Sequence, residues 1–324
     1  MIKRGRFAPT PSGELHIGNA FAALASWLQI RQSGGTYVLR IEDIDKPRSR
    51  PAFAKLQQED LRWLGIDWDE GPNVGGAFAP YEQSKRELLY EAALRQLQQS
   101  EHLYPCYCSR AELAMIASAP HGLSSEGAAY PGICRHLSTE ERASKEIHKS
   151  PSLRFIMPDQ PIVFDDQIRG VTSYKNEELG DFVIKRADGV FSYQLAVVVD
   201  DAAMAVTDVL RGADLLDSTP RQLALYKALS IQPPRFAHIP LLGDEDGHRL
   251  SKRDKSLTLA ALREDGVKPE RLVGLIGYIA GWLDELRPMA AQQLIPHFSL
   301  DSLPLRQQII SISKQQLGWL RKSD

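Results

Sequence analysis

The sequence predicts an α/β fold built on an open, mostly parallel sheet of the kind that holds a nucleotide at its strand ends. Three observations predict it. A strand, a Pro- and Gly-rich turn, a helix and a second strand follow one another within the first 41 residues. Strand and helix patterns return over residues 153–242. Between them lies an irregular stretch that holds all three cysteines, Cys106, Cys108 and Cys134.

Residues 5–8 read as a short strand, which Pro9-Thr10-Pro11-Ser12-Gly13 breaks. Residues 17–32 carry Phe21, Leu24, Leu28 and Ile30 at helical spacing, and Gly34-Gly35 is a natural stop. Residues 37–41 are apolar and β-branched enough for a buried strand. Two strands joined by one helix should be parallel with a right-handed crossover, the opening of a doubly wound sheet. Residues 52–64 and 84–99 read as helices, and residues 104–150 as an irregular insertion with a Gly/Ser/Ala loop at 118–129. Strands are expected at 153–156, 162–164 and 182–185, and at 190–199 after an Asp188-Gly189 hairpin turn. A helix at 220–229, a strand at 236–242, and helices at 257–264, 269–280 and 305–320 complete the chain. The expected division is 1–103 and 181–256 for the two halves of the sheet domain, 104–180 for the insertion, and 257–324 for a short helical C-terminal portion.

Composition narrows the function classes. At 324 residues with 43% hydrophobic and 25% charged residues, the chain reads as an ordinary globular protein. No run approaches the roughly 20 apolar residues of a membrane span, and the basic N-terminus leads into no apolar leader core. Three cysteines fit a reducing cytoplasm rather than a disulfide scaffold. A net charge of −2 gives no global sign of nucleic acid, so a nucleic-acid substrate would need a local basic face.

Two constellations carry chemistry. Arg6-Phe7-Ala8-Pro9-Thr10-Pro11-Ser12-Gly13, followed by His16-Ile17-Gly18-Asn19, sits where the first strand ends and the first helix begins. The helix N-terminus offers unpaired N–H groups and a positive dipole end to a phosphate. His16 can donate to a phosphate oxygen, and Gly18 lets a nucleotide lie close. Alone, the tetrapeptide also reads as a tight turn with a surface His. The second constellation is His248-Arg249-Leu250-Ser251-Lys252-Arg253, about 230 residues further on. Alone it reads as a solvated basic loop; together the two are far more telling. A third group, Cys106-x-Cys108 with Cys134, suits a structural zinc ion, with His121 and His136 nearby as chemically reasonable fourth ligands.

The two loop motifs resemble the HIGH and KMSKS signatures of class I aminoacyl-tRNA synthetases. The string RFAPTPSGELHIGNA with Tyr37-Val38-Leu39-Arg40-Ile41-Glu42-Asp43-Ile44-Asp45 resembles the glutamyl/glutaminyl branch, over about residues 4–285. The resemblance implies a Rossmann-like catalytic domain with a zinc-bearing insertion. Asn19 stands where many relatives have a second His, and Arg249-Leu250-Ser251-Lys252-Arg253 replaces KMSKS with its inner Ser-Lys kept.

By that resemblance His16 and Lys252 are the catalytic residues, and His16, Gly18, Asn19, Ser251 and Lys252 bind ATP with its Mg²⁺. Arg6, Phe7, Ala8, Pro9, Thr10, Glu42, Tyr193 and Arg211 then bind glutamate. Which Arg takes the side-chain carboxylate is left open. The resemblance also points to Tyr130, rather than a His, as the fourth zinc ligand beside Cys106, Cys108 and Cys134.

Only about 70 residues follow Lys252, too few for the anticodon-binding domain of a full synthetase. The core then resembles the branch that transfers activated glutamate to the queuosine base at the wobble position of tRNA(Asp). The expected partners are ATP, L-glutamate and queuosine-containing tRNA(Asp), with the chain a cytoplasmic monomer. Lys46, Arg48, Arg50, Arg253, Lys255 and Lys314 are candidates for phosphate contacts. The rivals are a truncated synthetase that charges a tRNA 3′ end and a non-catalytic synthetase-like binding protein.

Overall fold

The computed structural model describes residues 2–109, 111–113, 129–250, 255–303 and 308–321, with Lys255 by its backbone alone. Ser251, Lys252, Arg253, His121, residues 118–128 of the Gly/Ser/Ala loop and residues 305–307 lie outside the described residues.

The elements in chain order are β1 (Arg4–Phe7), α1 (Ile17–Gln32), β2 (Thr36–Leu39), α2 (Pro51–Trp63), α3 (Glu87–Gln99) and β3 (Leu103–Cys106). Then come α4 (Thr139–Glu146), β4 (Ser152–Phe155), β5 (Ile162–Asp166), β6 (Gly170–Tyr174), α5 (Asn176–Leu179) and β7 (Phe182–Lys185). The second half has α6 (Tyr193–Ala203), β8 (Asp208–Gly212), α7 (Ser218–Ala228), β9 (Arg235–Ile239) and β10 (Leu241–Gly243). It closes with α8 (Leu259–Glu264), α9 (Pro269–Ile279), α10 (Ala291–Leu294), β11 (Ile309–Ser311) and α11 (Lys314–Leu320).

A six-stranded sheet runs β2-β1-β8-β9-β5-β6. Every pairing in it is parallel except β5 with β6. Both faces are covered, as a parallel sheet requires, and the strand residues alternate accordingly. Tyr37, Leu39, Leu210, Ala237 and Ile239 join one core with α1 and the C-terminal helices. Val38, Val209 and Phe236, one residue out of phase, join a second core with α3, α6 and α7. Helix α1 buries 11 residues, nearly its whole circumference, because it lies between sheet and C-terminal helices. Strands β5 and β6 extend the main sheet from within residues 104–180, while β3, β4 and β7 form a separate antiparallel sheet. Among the described residues no helix is long and apolar enough to cross a membrane.

Three sequence expectations need correction. Residues 190–199 are not a strand. The Asp188-Gly189 turn forms, with Gly189 at φ 89°, but only one bridge, Lys185 with Phe191, follows it. Ser192 then caps α6 through its Oγ, which accepts from the Leu195 N–H at 3.4 Å. The valine run Val197-Val198-Val199 is buried in the α3/α7 core, and that packing overrides its β preference. Residues 305–320 are not one helix either. The β-branched Ile309–Ser311 pairs parallel with β10, and Ser313 caps a shorter helix from Lys314. The stretch 104–150 is less irregular than expected: β3 opens it, and Ser138 and Glu141 form a capping box for α4.

Candidate active site

The strand order reverses between β1 and β8, since β2 lies on one side of β1 and β8 on the other. A crevice opens outside the carboxyl ends of such strands. Here it is a cleft of about 510 Å³ lined by Arg6 and Phe7 of β1 and by Ala8, Pro9 and Thr10 of the turn after it. His16, Gly18 and Asn19 line it from the start of α1, and Glu42, Tyr193 and Arg211 from three further elements. Every described residue expected to meet glutamate or ATP therefore faces one space. Arg249 and Leu250 bring the flank of the lysine loop to it, while Ser251 and Lys252 lie outside the described residues.

Charge decides what the inner end can take. Asp201 on α6 accepts from Arg6 Nε at 3.2 Å and from Arg40 Nη1 at 2.7 Å. Arg40 Nη2 donates to Glu42 at 3.1 Å. Asp200 accepts from Arg86 Nε at 2.6 Å, from Gln83 at 2.9 Å and from the Tyr90 hydroxyl at 2.8 Å. Burial pushes the Glu42 carboxyl up despite Arg40 and Arg6. Burial also acts against Asp201, but the two guanidinium groups hold its pKa down.

Arg211 differs from the other arginines here. Its Nε donates to His238 Nε2 at 3.0 Å, its Nη2 to Thr219 Oγ1 at 2.8 Å and Gln222 Oε1 at 2.9 Å, and its Nη1 to the Tyr193 hydroxyl at 3.5 Å. All four partners are neutral, and among the described residues Arg211 makes no ion pair. Burial lowers its pKa. Arg6 and Arg40 pair with Asp201 and Glu42, and Arg86 with Asp200, whereas Arg211 has no carboxylate within ion-pair distance among the described residues.

At the outer end, His16 caps α1. Its Nδ1 accepts from the Gly18 N–H at 3.2 Å, while its own N–H donates to Asn19 Oδ1 at 3.1 Å. Asn19 thus closes a capping box. A Cβ at Gly18 would stand 3.0 Å from the His16 ring, so glycine lets the ring fold onto the helix start. Arg249 pairs with Asp214 at 2.6 Å across the cleft. Of the expected phosphate-contacting cations, Arg48 lines the cleft, whereas Lys46 is paired with Glu87 at 2.9 Å.

The cysteines converge as expected. The three sulfur atoms lie within 4.8 Å of one another. Cys108 Sγ is 3.7 Å from Cys134 Sγ, and the Tyr130 hydroxyl is 3.2 Å from Cys108 Sγ and 3.5 Å from Cys106 Sγ. Thiolate bonds of about 2.3 Å to a tetrahedral ion give sulfur–sulfur edges of about 3.8 Å. The spacing and the donor set fit zinc with Tyr130 in fourth place. His136 is exposed and belongs to no such group. The Arg154 guanidinium sits 3.8 Å above the Tyr130 ring.

Sequence reasoning missed Arg40, Asp200, Asp201, His238, Asp166, Thr219 and Gln222. Arg40 stands two residues before Glu42, and Asp200-Asp201 end an apolar run. A charged group at those places, in a segment too apolar to be exposed, was the available signal.

The fold and this cleft define a class, and comparison with known proteins agrees. The family model of class I tRNA synthetases (E and Q), catalytic domain, matches residues 3–316. The chain belongs to that family. It is 58% identical over 301 residues to the glutamyl-Q tRNA(Asp) synthetase of Symbiobacterium thermophilum, covering 93% of both chains. It is 49% identical to the protein of the same name from Nitratidesulfovibrio vulgaris, covering 94% of both. The solved glutamate-tRNA synthetase of Elizabethkingia anophelis superposes with a TM-score of 0.85 at 29% identity, over 99% of this chain and 70% of that one.

Proposed function

We propose that the chain activates glutamate with ATP and transfers it to the queuosine base at the wobble position of tRNA(Asp). The observation that carries the amino-acid half is the buried guanidinium of Arg211, which lines the cleft and pairs with no carboxylate among the described residues. The side-chain carboxylate of glutamate pairs with such a group; the neutral amide of glutamine does not. Arg211 takes the side-chain carboxylate, and Glu42 meets the ammonium. The transfer half is supported by the two relatives that align over 93% and 94% of both chains and carry that name.

The α-carboxylate of glutamate attacks the α-phosphorus of ATP and pyrophosphate leaves. A hydroxyl of the acceptor then attacks the activated carbonyl, and AMP leaves. Positioning and electrostatic stabilisation do most of the work. The N-terminus of α1 and His16 meet the phosphates, and Lys252, by its place in the second motif, and the Mg²⁺ carried by ATP would add positive charge there. Ser251, Gly18 and Asn19 complete the ATP side, and Phe7, Ala8, Pro9 and Thr10 form the wall against glutamate.

Cys106, Cys108, Tyr130 and Cys134 hold one structural zinc, which fixes the turn after β3. Metal analysis of the purified protein should find one zinc per chain; no zinc with three freely titrating thiols would remove the site. The function itself is tested by transfer of labelled glutamate to tRNA with and without queuosine. Label confined to the queuosine-containing pool is expected. Equal label in both pools would make this a 3′-end charging enzyme, and none in either would end the catalytic reading.

A further inference from the structure

We propose that Asp166 and His238 form a positioning pair that aims Arg211 at the substrate carboxylate without neutralising it. The proposal rests on the glutamate reading above for its substrate, but its geometry stands alone. His238 on β9 is fully buried and bonds at both ring nitrogens: Nδ1 lies 2.6 Å from Asp166 Oδ2, and Nε2 lies 3.0 Å from Arg211 Nε and 3.1 Å from the Thr219 hydroxyl, which can donate to it as well.

The tautomer follows from the partners. Arg211 Nε can only donate, so His238 Nε2 accepts from it. Nδ1 therefore carries the proton and donates to Asp166. Burial lowers the His238 pKa to about 4, with Arg211 adding to the effect and Asp166 opposing it, so the ring is neutral at neutral pH. The negative charge of Asp166 thus reaches Arg211 only through an uncharged ring. A carboxylate set directly on Arg211 would pair with it and weaken its attraction for an anionic substrate. An imidazole spacer fixes the plane of the guanidinium and leaves its charge to glutamate. With Nη2 held by Thr219 and Gln222, Nη1 is the end presented beside Tyr193.

Asp166 is itself held in a way that makes the pair testable. Its Oδ1 accepts three backbone N–H bonds, from Ile168 at 3.0 Å, Arg169 at 2.9 Å and His238 at 3.2 Å. In Asp166→Asn the amide oxygen must stay on those donors. The NH₂ group then faces His238 Nδ1, which has to accept. The ring proton moves to Nε2, directly opposite the Arg211 Nε–H, and donor meets donor. A carboxylate-to-amide change behind a histidine is known to act in this way, by imposing the wrong tautomer.

The test measures glutamate-dependent ATP–pyrophosphate exchange, glutamate binding, melting temperature and the ¹⁵N shifts of selectively labelled histidine. Asp166→Asn should raise the KM for glutamate about tenfold or more, the loss expected for a charge-assisted bond, with the KM for ATP unchanged. His238→Ala should do the same, and His238→Gln, whose Oε1 can replace Nε2 as acceptor, should recover most of the loss. The wild-type His238 ring should show the Nδ1–H tautomer, and Asp166→Asn the Nε2–H tautomer. Glutamate and ATP KM values rising together, or no rescue by glutamine, would reduce the pair to scaffolding and overturn the proposal. So would an Nε2–H or imidazolium ring in the wild type. Absence of glutamate binding and exchange in the wild type would overturn the glutamate reading instead. The ring tautomer, read without substrate, would still decide the pair.

Discussion

Arg211 and Arg6 both face the cleft, yet they do different work because their partners differ. Arg6 is spent on Asp201, whereas Arg211 is bonded to neutral groups alone. Lysine in its place would keep the charge and lose the fork that reaches His238, Thr219 and Gln222. Arg211→Lys should therefore raise the glutamate KM by about 10–100-fold, since a broken buried charge contact costs a few kcal/mol, and leave the ATP KM alone. Steady-state exchange kinetics with each substrate varied would check it. His238 yields a prediction of opposite kind, on stability. Its folded pKa of about 4 lies below the ordinary 6.5. The unfolded chain takes up a proton as pH falls through 6.5, and the folded chain resists until about 4. The contribution of His238 is thus flat above pH 6.5 and turns against folding between 6.5 and 4. Denaturant titrations over that window should show a shallower loss of stability in His238→Gln than in the wild type; equal slopes would mean the ring is not held neutral.

At the scale of elements, Asp60 on α2 shows what packing alone can impose. It is fully buried, both its oxygens lack a hydrogen-bond partner, and its nearest cation is Arg263 on α8 at 3.5 Å. Burial, with Glu14 and Glu59 adding and Arg263 opposing, pushes its pKa up to about 6. A carboxyl with a raised folded pKa holds its proton more tightly when folded. Its ionisation therefore costs stability as pH rises from about 4 through 6, and the cost is full above that. Asp60→Asn should melt higher than the wild type at pH 8, with the gap closing towards pH 4; a variant less stable at pH 8 would make the Arg263 pair the stronger effect. The sequence was legible where one element decides its own state. Helix α1 reads directly from Phe21, Leu24 and Leu28, and the turn after β1 from its prolines and glycine. Helix α6 was not legible, because Val197-Val198-Val199 favour a strand locally and only burial between α3 and α7 makes them helical. As a strand, adjacent Asp200 and Asp201 would point to opposite faces; the helix turns one to Arg86 and the other to Arg6 and Arg40. The same distance effect hid half the site. Arg6 meets Asp201 across 195 positions and His238 meets Asp166 across 72, and no local pattern announces such meetings.

For the whole molecule the open problem is how a chain of net charge −2 holds a tRNA. The buried guanidinium of Arg211 lies inside the cleft, suited to an amino acid rather than a polyanion. Attraction for a nucleic acid then rests on local exposed cations. Arg48 lines the cleft, while Lys46 and Arg249 are already paired with Glu87 and Asp214. Contacts from exposed cations are screened by salt, whereas the buried contacts of Arg211 are screened far less. The two half-reactions should therefore part company with salt. Glutamate-dependent exchange, which uses no tRNA in this reading, should change little between about 50 and 200 mM salt. The kcat/KM for tRNA in transfer should fall steeply, each phosphate contact to a single-stranded loop adding about −0.7 to the log–log slope. A slope near −2 would mean about three phosphate contacts. If transfer were as flat as exchange, recognition would rest on the bases and on shape, and the exposed cations would have no part in holding the tRNA.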